Sequence, residues 1–252
     1  MATTEKMKSL REIAWAENIK TISFALLIAL VIRTFFFQPF NIPSGSMIPT
    51  LLIGDYLFVS KYSYGYSRHS FPFSPGLFDG RIMGSEPERG DIAVFKTPAD
   101  NRTDFIKRVI GLPGDEIQMR DSILYINGVA VPRERIENFI ERDAFGGIRE
   151  IPQYRETLPN GVSYTTLDRV PNAVSDNTGV YRVPAGHYFM MGDNRDNSSD
   201  SRVPSAVGYV PLENFVGKAQ VIFFSTDGSA RLWAFWNWFS ATRWERLFDG
   251  LD

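Results

Sequence analysis

The chain has 252 residues, of which 44% are hydrophobic and 22% charged, a composition ordinary for a folded protein of one or two domains. Its net charge of −2 argues against a general nucleic-acid binder. Because it contains no cysteine, structural disulfides, thiolate catalysis and cysteine-based metal sites are excluded.

An apolar segment near the N-terminus, residues 21–37, carries Arg33 as its one charge. As a helix it would span about 25 Å, slightly less than the ~30 Å hydrocarbon core of a bilayer, and we predict a transmembrane anchor. A cleaved signal peptide is one alternative, but the Phe-Phe-Phe-Gln-Pro-Phe ending has no small-x-small cleavage site. A buried core helix is the other alternative.

The charges before this segment predict its orientation. Lys6, Lys8, Arg11 and Lys20 precede it, so the positive-inside rule places residues 1–20 in the cytoplasm. Everything after residue 38 is then extracytoplasmic. No later stretch is long and apolar enough to return, which predicts a single-pass protein.

Past the anchor, the pattern is that of short strands separated by Gly and Pro turns. Asn127-Gly128 is a strong two-residue hairpin signal, residues 63–88 look like a loop near the membrane, and residues 133–180 look polar and irregular. The fold class predicted is mainly β and antiparallel. The predicted strands are 51–62, 92–96, 104–110, 122–126, 129–131, 180–183, 187–191 and 216–224.

The C-terminal tail, residues 229–252, is rich in aromatic residues. Because tryptophan is favoured at the membrane–water interface, we interpret the tail as an interfacial segment. A terminal helix packed on its own domain is the alternative. The five tryptophans are Trp15, just before the anchor, and Trp233, Trp236, Trp238 and Trp244, all in the tail.

A candidate nucleophile follows the anchor, in the sequence Pro-Ser-Gly-Ser-Met-Ile-Pro-Thr-Leu-Leu at residues 43–52. Ser44 and Ser46 are separated by one glycine and enclosed by two prolines, which restrict the local backbone. A serine in a rigid turn just outside a membrane is suited to nucleophilic catalysis. Its hydroxyl needs a base, because it is a weak nucleophile at its own pKa.

Histidine is the familiar base, but neither histidine here is well placed. His69 lies in the irregular loop and His187 stands beside a glycine, and neither belongs to a motif with a nearby acid. Two scattered histidines without cysteine also make a zinc site improbable, so we expect no metal and no cofactor.

Lysine is the other option, provided that burial removes its proton near neutral pH. On a strand, Lys107 would share one face with Phe105 and Val109, so it can be placed against apolar surface. Lys61 and Lys96 also end apolar runs, though close to turn residues. Chemistry favours Lys107 but leaves the others open. The lysines beyond the anchor are Lys61, Lys96, Lys107 and Lys218.

Residues 192–202 form a second unusual block, with three aspartates, two asparagines, three serines and two arginines. Such residues dominate turns, so composition alone favours a solvated turn. The other interpretation is a polar network behind an active site.

Five blocks together resemble the bacterial type I signal peptidase (leader peptidase) family, in its order and with its anchor placement. They cover roughly a quarter of the chain. The blocks are Pro-Ser-Gly-Ser-Met-Ile-Pro-Thr-Leu at 43–51, Gly-Asp at 54–55, Arg-Gly-Asp at 89–91, Lys-Arg-Val-Ile-Gly-Leu-Pro-Gly-Asp at 107–115, and Gly-Asp-Asn-Arg-Asp-Asn-Ser-Ser-Asp-Ser-Arg at 192–202.

The resemblance implies a role for each matched residue. Ser46 would be the nucleophile and Lys107 the general base. Ser44 would complete an oxyanion hole with the backbone N–H of Ser46, and Ser198 would position the lysine. Structural support would come from Asp193, Asn197, Asp200 and Arg202.

The resemblance also implies the reaction, hydrolysis of signal peptides from exported precursors, with small side chains selected at the first and third positions before the cut. The partners expected are those precursors and membrane lipid, with no nucleic acid and a monomeric enzyme. In a two-membrane bacterium the enzyme would lie in the inner membrane, with its domain in the periplasm. The best-known relatives have two anchors where this chain has an apparent one.

The implied organisation is a catalytic β domain with an inserted smaller α/β or β subdomain. Two rival functions remain: a non-catalytic, anchored β module that binds extracytoplasmic partners, and a soluble self-cleaving repressor type of serine–lysine protease. The predicted boundaries are 38–117 and 185–228 for the catalytic domain, 118–184 for the insertion and 229–252 for the tail.

Overall fold

A computed structural model describes residues 2–71, 78–142, 147–229 and 235–251. In these parts of the chain, a long N-terminal helix is followed almost entirely by antiparallel strands. The prediction of a mainly β chain behind one apolar helix is confirmed.

The N-terminal helix, α1, runs from Ala2 to Phe35. Its apolar part, Trp15–Phe35, has 21 residues and is the one stretch among the described residues that is long and apolar enough to cross a membrane. At 1.5 Å per residue this part is about 32 Å long, more than the segment predicted from residues 21–37. The helix ends at Phe35, and the chain continues as a strand in which Pro39 disfavours helical backbone at Gln38.

Seventeen strands follow α1 in the described residues. In chain order they are β1 (Phe37–Asn41), β2 (Asp55–Ser60), β3 (Ile92–Lys96), β4 (Asp104–Gly111), β5 (Glu116–Arg120), β6 (Ile123–Ile126), β7 (Val129–Ala130), β8 (Arg133–Arg135), β9 (Phe139–Arg142), β10 (Ile148–Ile151), β11 (Gln153–Thr157), β12 (Ser163–Leu167), β13 (Tyr181–Arg182), β14 (His187–Met191), β15 (Val210–Pro211), β16 (Phe215–Ser225) and β17 (Asp249–Gly250). A short helix, α2, spans Trp238–Ala241.

The principal sheet has eight strands, in the spatial order β1-β2-β16-β3-β4-β14-β15, with β17 also paired to β16. β4, which holds Lys107, pairs with β3 along residues 104–108, whereas β14 pairs with it only at 108–111. Residues 104–107 of β4 therefore have an outer edge that no other described strand pairs with.

Along the chain between β4 and β14, the described residues form three smaller sheets: β13-β5-β6-β7, β12-β11-β8 and β10-β9. Five of these strands, β8 to β12, fall within the stretch that the sequence predicts to be irregular, and that prediction is wrong. Strands such as Arg-Glu-Arg in β8 and Ile-Arg-Glu-Ile in β10 are charged and mostly exposed, so they lack the apolar alternation that marks a strand. The division into a catalytic domain and an insertion at 118–184 stays a prediction.

Residues 43–52, termed here the serine segment, are packed into the hydrophobic core. Met47 and Leu51 are fully buried in one cluster with Leu57 of β2, Val94 of β3 and Ile222 of β16. Full burial of such side chains contributes roughly 1.5–3 kcal/mol each. The core therefore holds the backbone on the C-terminal side of Ser46 in place.

The C-terminal tail docks on the domain through its arginines and its last strand. Arg246 pairs with buried Asp55 at 2.6 Å, and Arg243 donates to the carbonyl of Ile53 at 3.0 Å. In the described part of the tail, the terminal helix that the sequence offers as an alternative is limited to the four residues of α2. Trp233 lies outside the described residues, while the exposed tail aromatics are Trp236, Trp238, Phe239, Trp244 and Phe248.

Gly217→Ala tests a close approach inside the principal sheet. A Cβ atom at this position of β16 would lie 2.3 Å from the carbonyl oxygen of Ser60 and 2.8 Å from Val59 Cγ1. We expect the free energy of unfolding to fall by about 1–3 kcal/mol, as for other overpacked cores, measured by denaturant titration in detergent. The control is Gly179→Ala, because Gly179 has open space around it, and its change should stay within about 0.5 kcal/mol. Equal effects of the two substitutions would contradict the prediction.

Candidate active site

Ser46 lies in a short 3-10 turn, Gly45–Met47, which follows the extended residue Ser44. The loop after β14 holds this turn from the side opposite the core. The backbone N–H of Asn194 donates to the Ser46 carbonyl at 3.1 Å, and Asn194 Nδ2 donates to the Gly45 carbonyl at 2.8 Å. Core packing and these two hydrogen bonds together fix the position of a nearly buried serine.

Lys107 of β4 meets this serine. Its Nζ donates to Ser46 Oγ at 2.8 Å and to the carbonyl of Ile106 at 2.9 Å, and it lies 5.1 Å from the centre of the Phe105 ring. The side chain of Lys107 is only 3% exposed. The fold thus brings together two residues that are 61 positions apart.

Burial lowers the pKa of Lys107 to about 8, while the negative charges of Asp200 and Asp193 act in the opposite direction. A substantial fraction of the amine is therefore neutral in mildly alkaline solution. In that form it can accept a proton from the serine hydroxyl that touches it.

The other lysines beyond the anchor are engaged elsewhere. Lys61 also has a pKa lowered to about 8, by burial and then by Arg33, but its Nζ donates to the carbonyl of Ser70 at 2.5 Å. Lys96 pairs with Asp104 at 2.9 Å, and Lys218 pairs with Asp91 at 2.7 Å. Of the four candidates, Lys107 is the one hydrogen-bonded to Ser46.

The two auxiliary serines are placed differently. Ser44 is exposed and lines the same cleft as Ser46. Ser198 Oγ is buried against Gly192, since a Cβ on that glycine would lie 2.3 Å from it and 2.5 Å from the Ser46 carbonyl. The Ser198 hydroxyl makes no hydrogen bond to Lys107 in the described part of the chain, so its predicted positioning role stays a prediction.

The carboxylate of Asp193 supports the strand that carries the lysine. It binds Arg108, the residue after Lys107, through both oxygens at 2.9 and 2.7 Å, and it accepts from the hydroxyl of Thr50 at 2.5 Å. Asp193 and Arg108 are both buried. One carboxylate therefore links the serine segment, β4 and the loop after β14.

Asp200 and Arg202 form a second buried pair, with two hydrogen bonds of 2.9 and 2.8 Å. Burial alone would raise the pKa of Asp200, but the Arg202 guanidinium and the N–H of Gly192, 3.0 Å away, lower it. The block at 192–202 is therefore largely a buried polar network rather than a solvated turn. Asn197 and Ser199 are exceptions within the block, because both are exposed and line the cleft.

An ion pair that the sequence interpretation misses ties this block to the strands predicted as irregular. Arg195 donates to both oxygens of Glu156 in β11 at 2.8 and 2.5 Å, and Tyr164 in β12 donates to the same carboxylate at 2.8 Å. Charges at these positions look like solvated surface, and no local pattern pairs them. The sequence interpretation also assigns no role to four further residues, because each acts through a contact with a residue distant in the chain. They are Gly192, Arg108, Thr50 and Asn194.

A cleft of about 540 Å³ opens in front of the Ser46–Lys107 pair. One wall comes from the end of β1 and the segment up to Ser46, and the other from residues 104–107, the unpaired edge of β4. β1 is also an edge strand, since among the strands that the structure describes it pairs only with β2. Two strand edges therefore face one open groove.

A carboxylate cluster lies outside this cleft. Ligand oxygens of Asp168, Asp176 and Asp196 come within 4.8 Å of one another. Each carboxylate already has a partner: Arg133 donates to Asp168 at 2.9 Å, and backbone N–H groups donate to the other two. The structure therefore gives these oxygens partners within the protein.

An apolar anchor helix, a mainly β domain and a serine–lysine pair in an open groove are together typical of a membrane-anchored serine peptidase. Comparison with known proteins agrees. The model of the family described as signal peptidase, peptidase S26, matches residues 15–224, and the chain belongs to this family.

Curated relatives carry the same name. The chain is 48% identical over 219 residues to signal peptidase I of Rickettsia typhi, covering 83% of this chain and 80% of the relative. It is 48% identical over 220 residues to that of Rickettsia canadensis, covering 84% and 80%. A crystal structure of a signal peptidase I from Enterococcus faecalis V583 is 29% identical, with a TM-score of 0.30, and covers 53% of this chain and 97% of that one.

Asp193→Asn tests the buried pair behind the lysine. The substitution leaves the Arg108 charge without its counter-ion, so we expect a loss of about 3–5 kcal/mol in the free energy of unfolding, measured by denaturant titration. The control is Glu116→Gln, which breaks the exposed pair with Arg182 (2.9 Å) and should cost no more than about 1 kcal/mol. A loss for Asp193→Asn as small as that of the control would show that the buried pair does not hold the site.

Proposed function

We propose that this chain cleaves signal peptides from exported precursor proteins, with Ser46 as the nucleophile and Lys107 as the general base. The 2.8 Å hydrogen bond between Lys107 Nζ and Ser46 Oγ carries the assignment. Ser46 Oγ attacks the scissile carbonyl while the neutral amine takes its proton. The resulting ammonium then returns a proton to the leaving amine, and water releases the acyl group from Ser46 in the second half of the reaction.

Charge develops on the carbonyl oxygen as Ser46 attacks. We assign its stabilisation to the backbone N–H of Ser46 and the hydroxyl of Ser44, which is exposed in the cleft beside it. A donor of this kind is worth roughly 3–4 kcal/mol when lost. Ser198, Asp193, Asp200 and Arg202 act behind the dyad by holding its segments.

The substrate binds as an extended strand. The unpaired edge of β4 at residues 104–107 offers backbone groups to a peptide in the cleft, next to the lysine that acts on it. Apolar side chains such as Ile42, Val94 and Ile106 line the same groove, which suits it to small side chains at the first and third positions before the cut. Asn197 faces this groove and is placed to contact the peptide.

The anchor places the enzyme where its substrate is. With the N-terminus in the cytoplasm, as Lys6, Lys8 and Lys20 predict, the β domain lies outside the membrane, in the periplasm of a two-membrane bacterium. The exposed aromatic rings of the tail lie at the lipid interface. The enzyme acts as a monomer, because one chain supplies both members of the dyad and both walls of the cleft.

Ser46→Ala and Lys107→Met test the dyad. Each removes a group that takes part in the proton transfer, so we expect cleavage of a signal-peptide-bearing precursor to fall at least about 10³-fold. The control is Lys218→Met, a lysine paired to Asp91 rather than to Ser46, which should retain activity within about threefold. Near-normal cleavage by either dyad variant would overturn the assignment of that residue, whereas absence of cleavage by the unmodified chain would support the non-catalytic anchored module instead.

The pH profile tests Lys107 as the base. Because the neutral amine is the working form and its pKa is about 8, kcat/KM should rise through pH 8 and fall about tenfold per pH unit below it. Asp200→Asn removes a negative charge that raises the pKa of Lys107, so the midpoint should move to lower pH. The charges acting on Lys61 do not include Asp200, so this shift separates the two lysines. An unchanged or higher midpoint in the variant would rule out Lys107.

A further inference from the structure

A second cavity, of about 760 Å³, lies where the anchor helix meets the β domain. Arg33, in the last turn of α1, and Phe40 of β1 line it on the side of the anchor. The backbone N–H of Lys61, another lining residue, donates to the carbonyl of Phe36 at 2.9 Å. This hydrogen bond connects the lining of the cavity to the residue that follows the helix. This cavity, termed here the anchor cavity, is therefore at the level where the chain leaves the bilayer.

The lining of the anchor cavity is strongly basic. It contains two carboxylates, and both are already engaged: Asp104 by Lys96, and Asp100 by the hydroxyl of Thr97 at 2.8 Å and by backbone N–H groups. The five basic side chains are Arg33, Lys61, Arg68, Lys96 and Arg102.

Three of these five cations make no ion pair with any described residue: Arg33, Lys61 and Arg102. Lys61 is 2% exposed, and its pKa is lowered by burial and by the charge of Arg33. Buried cations are normally paired, because an isolated one is costly to remove from water. An anion in the cavity would provide the counter-charge that the described residues do not.

The depth of the cavity identifies the anion. A basic residue at the end of an apolar transmembrane helix lies at the headgroup level, where lipid phosphates are concentrated, and several lysines and arginines at that level attract an anionic headgroup. We propose that the anchor cavity binds the phosphate of an anionic phospholipid. The bound lipid would set the height of the β domain, because Phe40 and Asp104 line both this cavity and the cleft in front of Ser46.

The inference rests on the proposed membrane anchoring but not on the dyad chemistry. The test is calorimetric titration of the full chain in non-ionic detergent with dihexanoyl phosphatidylglycerol, dihexanoyl phosphatidylcholine and inorganic phosphate as separate probes. No substrate is present, so the measured lipid binding does not depend on whether Ser46 and Lys107 cleave a precursor. Protein that leaves the membrane without detergent would instead refute the anchoring.

The variant is the double substitution Arg33→Gln and Arg102→Gln, which removes two exposed cations of the cavity that make no ion pair within the described parts of the chain. The matched control is Arg149→Gln in β10, also exposed, which does not line the cavity. At about 1 kcal/mol per basic residue near an anionic lipid, removing two should weaken phosphatidylglycerol binding about 10- to 30-fold, while the control stays within about twofold. Equal thermal unfolding of the two variants excludes misfolding as the cause.

The expected pattern is saturable binding of phosphatidylglycerol by the unmodified chain, with much weaker binding of phosphatidylcholine and of inorganic phosphate. Equally tight binding of inorganic phosphate would make the cavity a site for a soluble anion and overturn the lipid assignment. Absence of phosphatidylglycerol binding, or equal binding by the double variant and the control, would overturn the site itself.

Discussion

The burial of the Lys107 amine against the hydroxyl of Ser46 is the constraint on which the rest of the structure depends. A lysine can act as a base near neutral pH only if its surroundings disfavour its charge, and burial does so here, lowering its pKa to about 8. Two carboxylates nearby work against this. Each is held by an arginine through two hydrogen bonds, Asp193 by Arg108 and Asp200 by Arg202, which offsets much of their charge.

This pairing explains why the site is built from so many buried polar groups. The negative charges of Asp193 and Asp200 favour the protonated form of Lys107. The same two aspartates also hold β4, the segment after Ser46 and the loop after β14 together. A close approach of backbone completes the arrangement, because Gly192 leaves room for the Ser46 carbonyl and the Ser198 hydroxyl where a side chain would collide with both. The reactivity of the amine and the rigidity of the site therefore arise from one network.

Much of the local structure could be predicted from the sequence. The strands at 92–96 and 187–191 match the predicted bounds, because buried strands with apolar residues and clear turns carry a local signal. Strands β8 to β12 were not predictable in this way, since their charged residues pair across strands and with the 192–202 block. Asn197 is likewise placed by tertiary structure, in the cleft rather than in the buried network.

The sequence by itself determined the apolar helix, the mainly β class and the rigid turn around Ser46, because these depend on hydropathy, turn residues and proline over a few neighbouring positions. It could not decide by chemistry which lysine meets the serine. Burial lowers the pKa values of Lys61 and Lys107 alike, to about 8, so environment does not separate them. Only the tertiary structure decided the choice, because the pairing of β4 in the sheet and the packing of Met47 and Leu51 in the core bring Nζ of Lys107 to 2.8 Å from Ser46 Oγ.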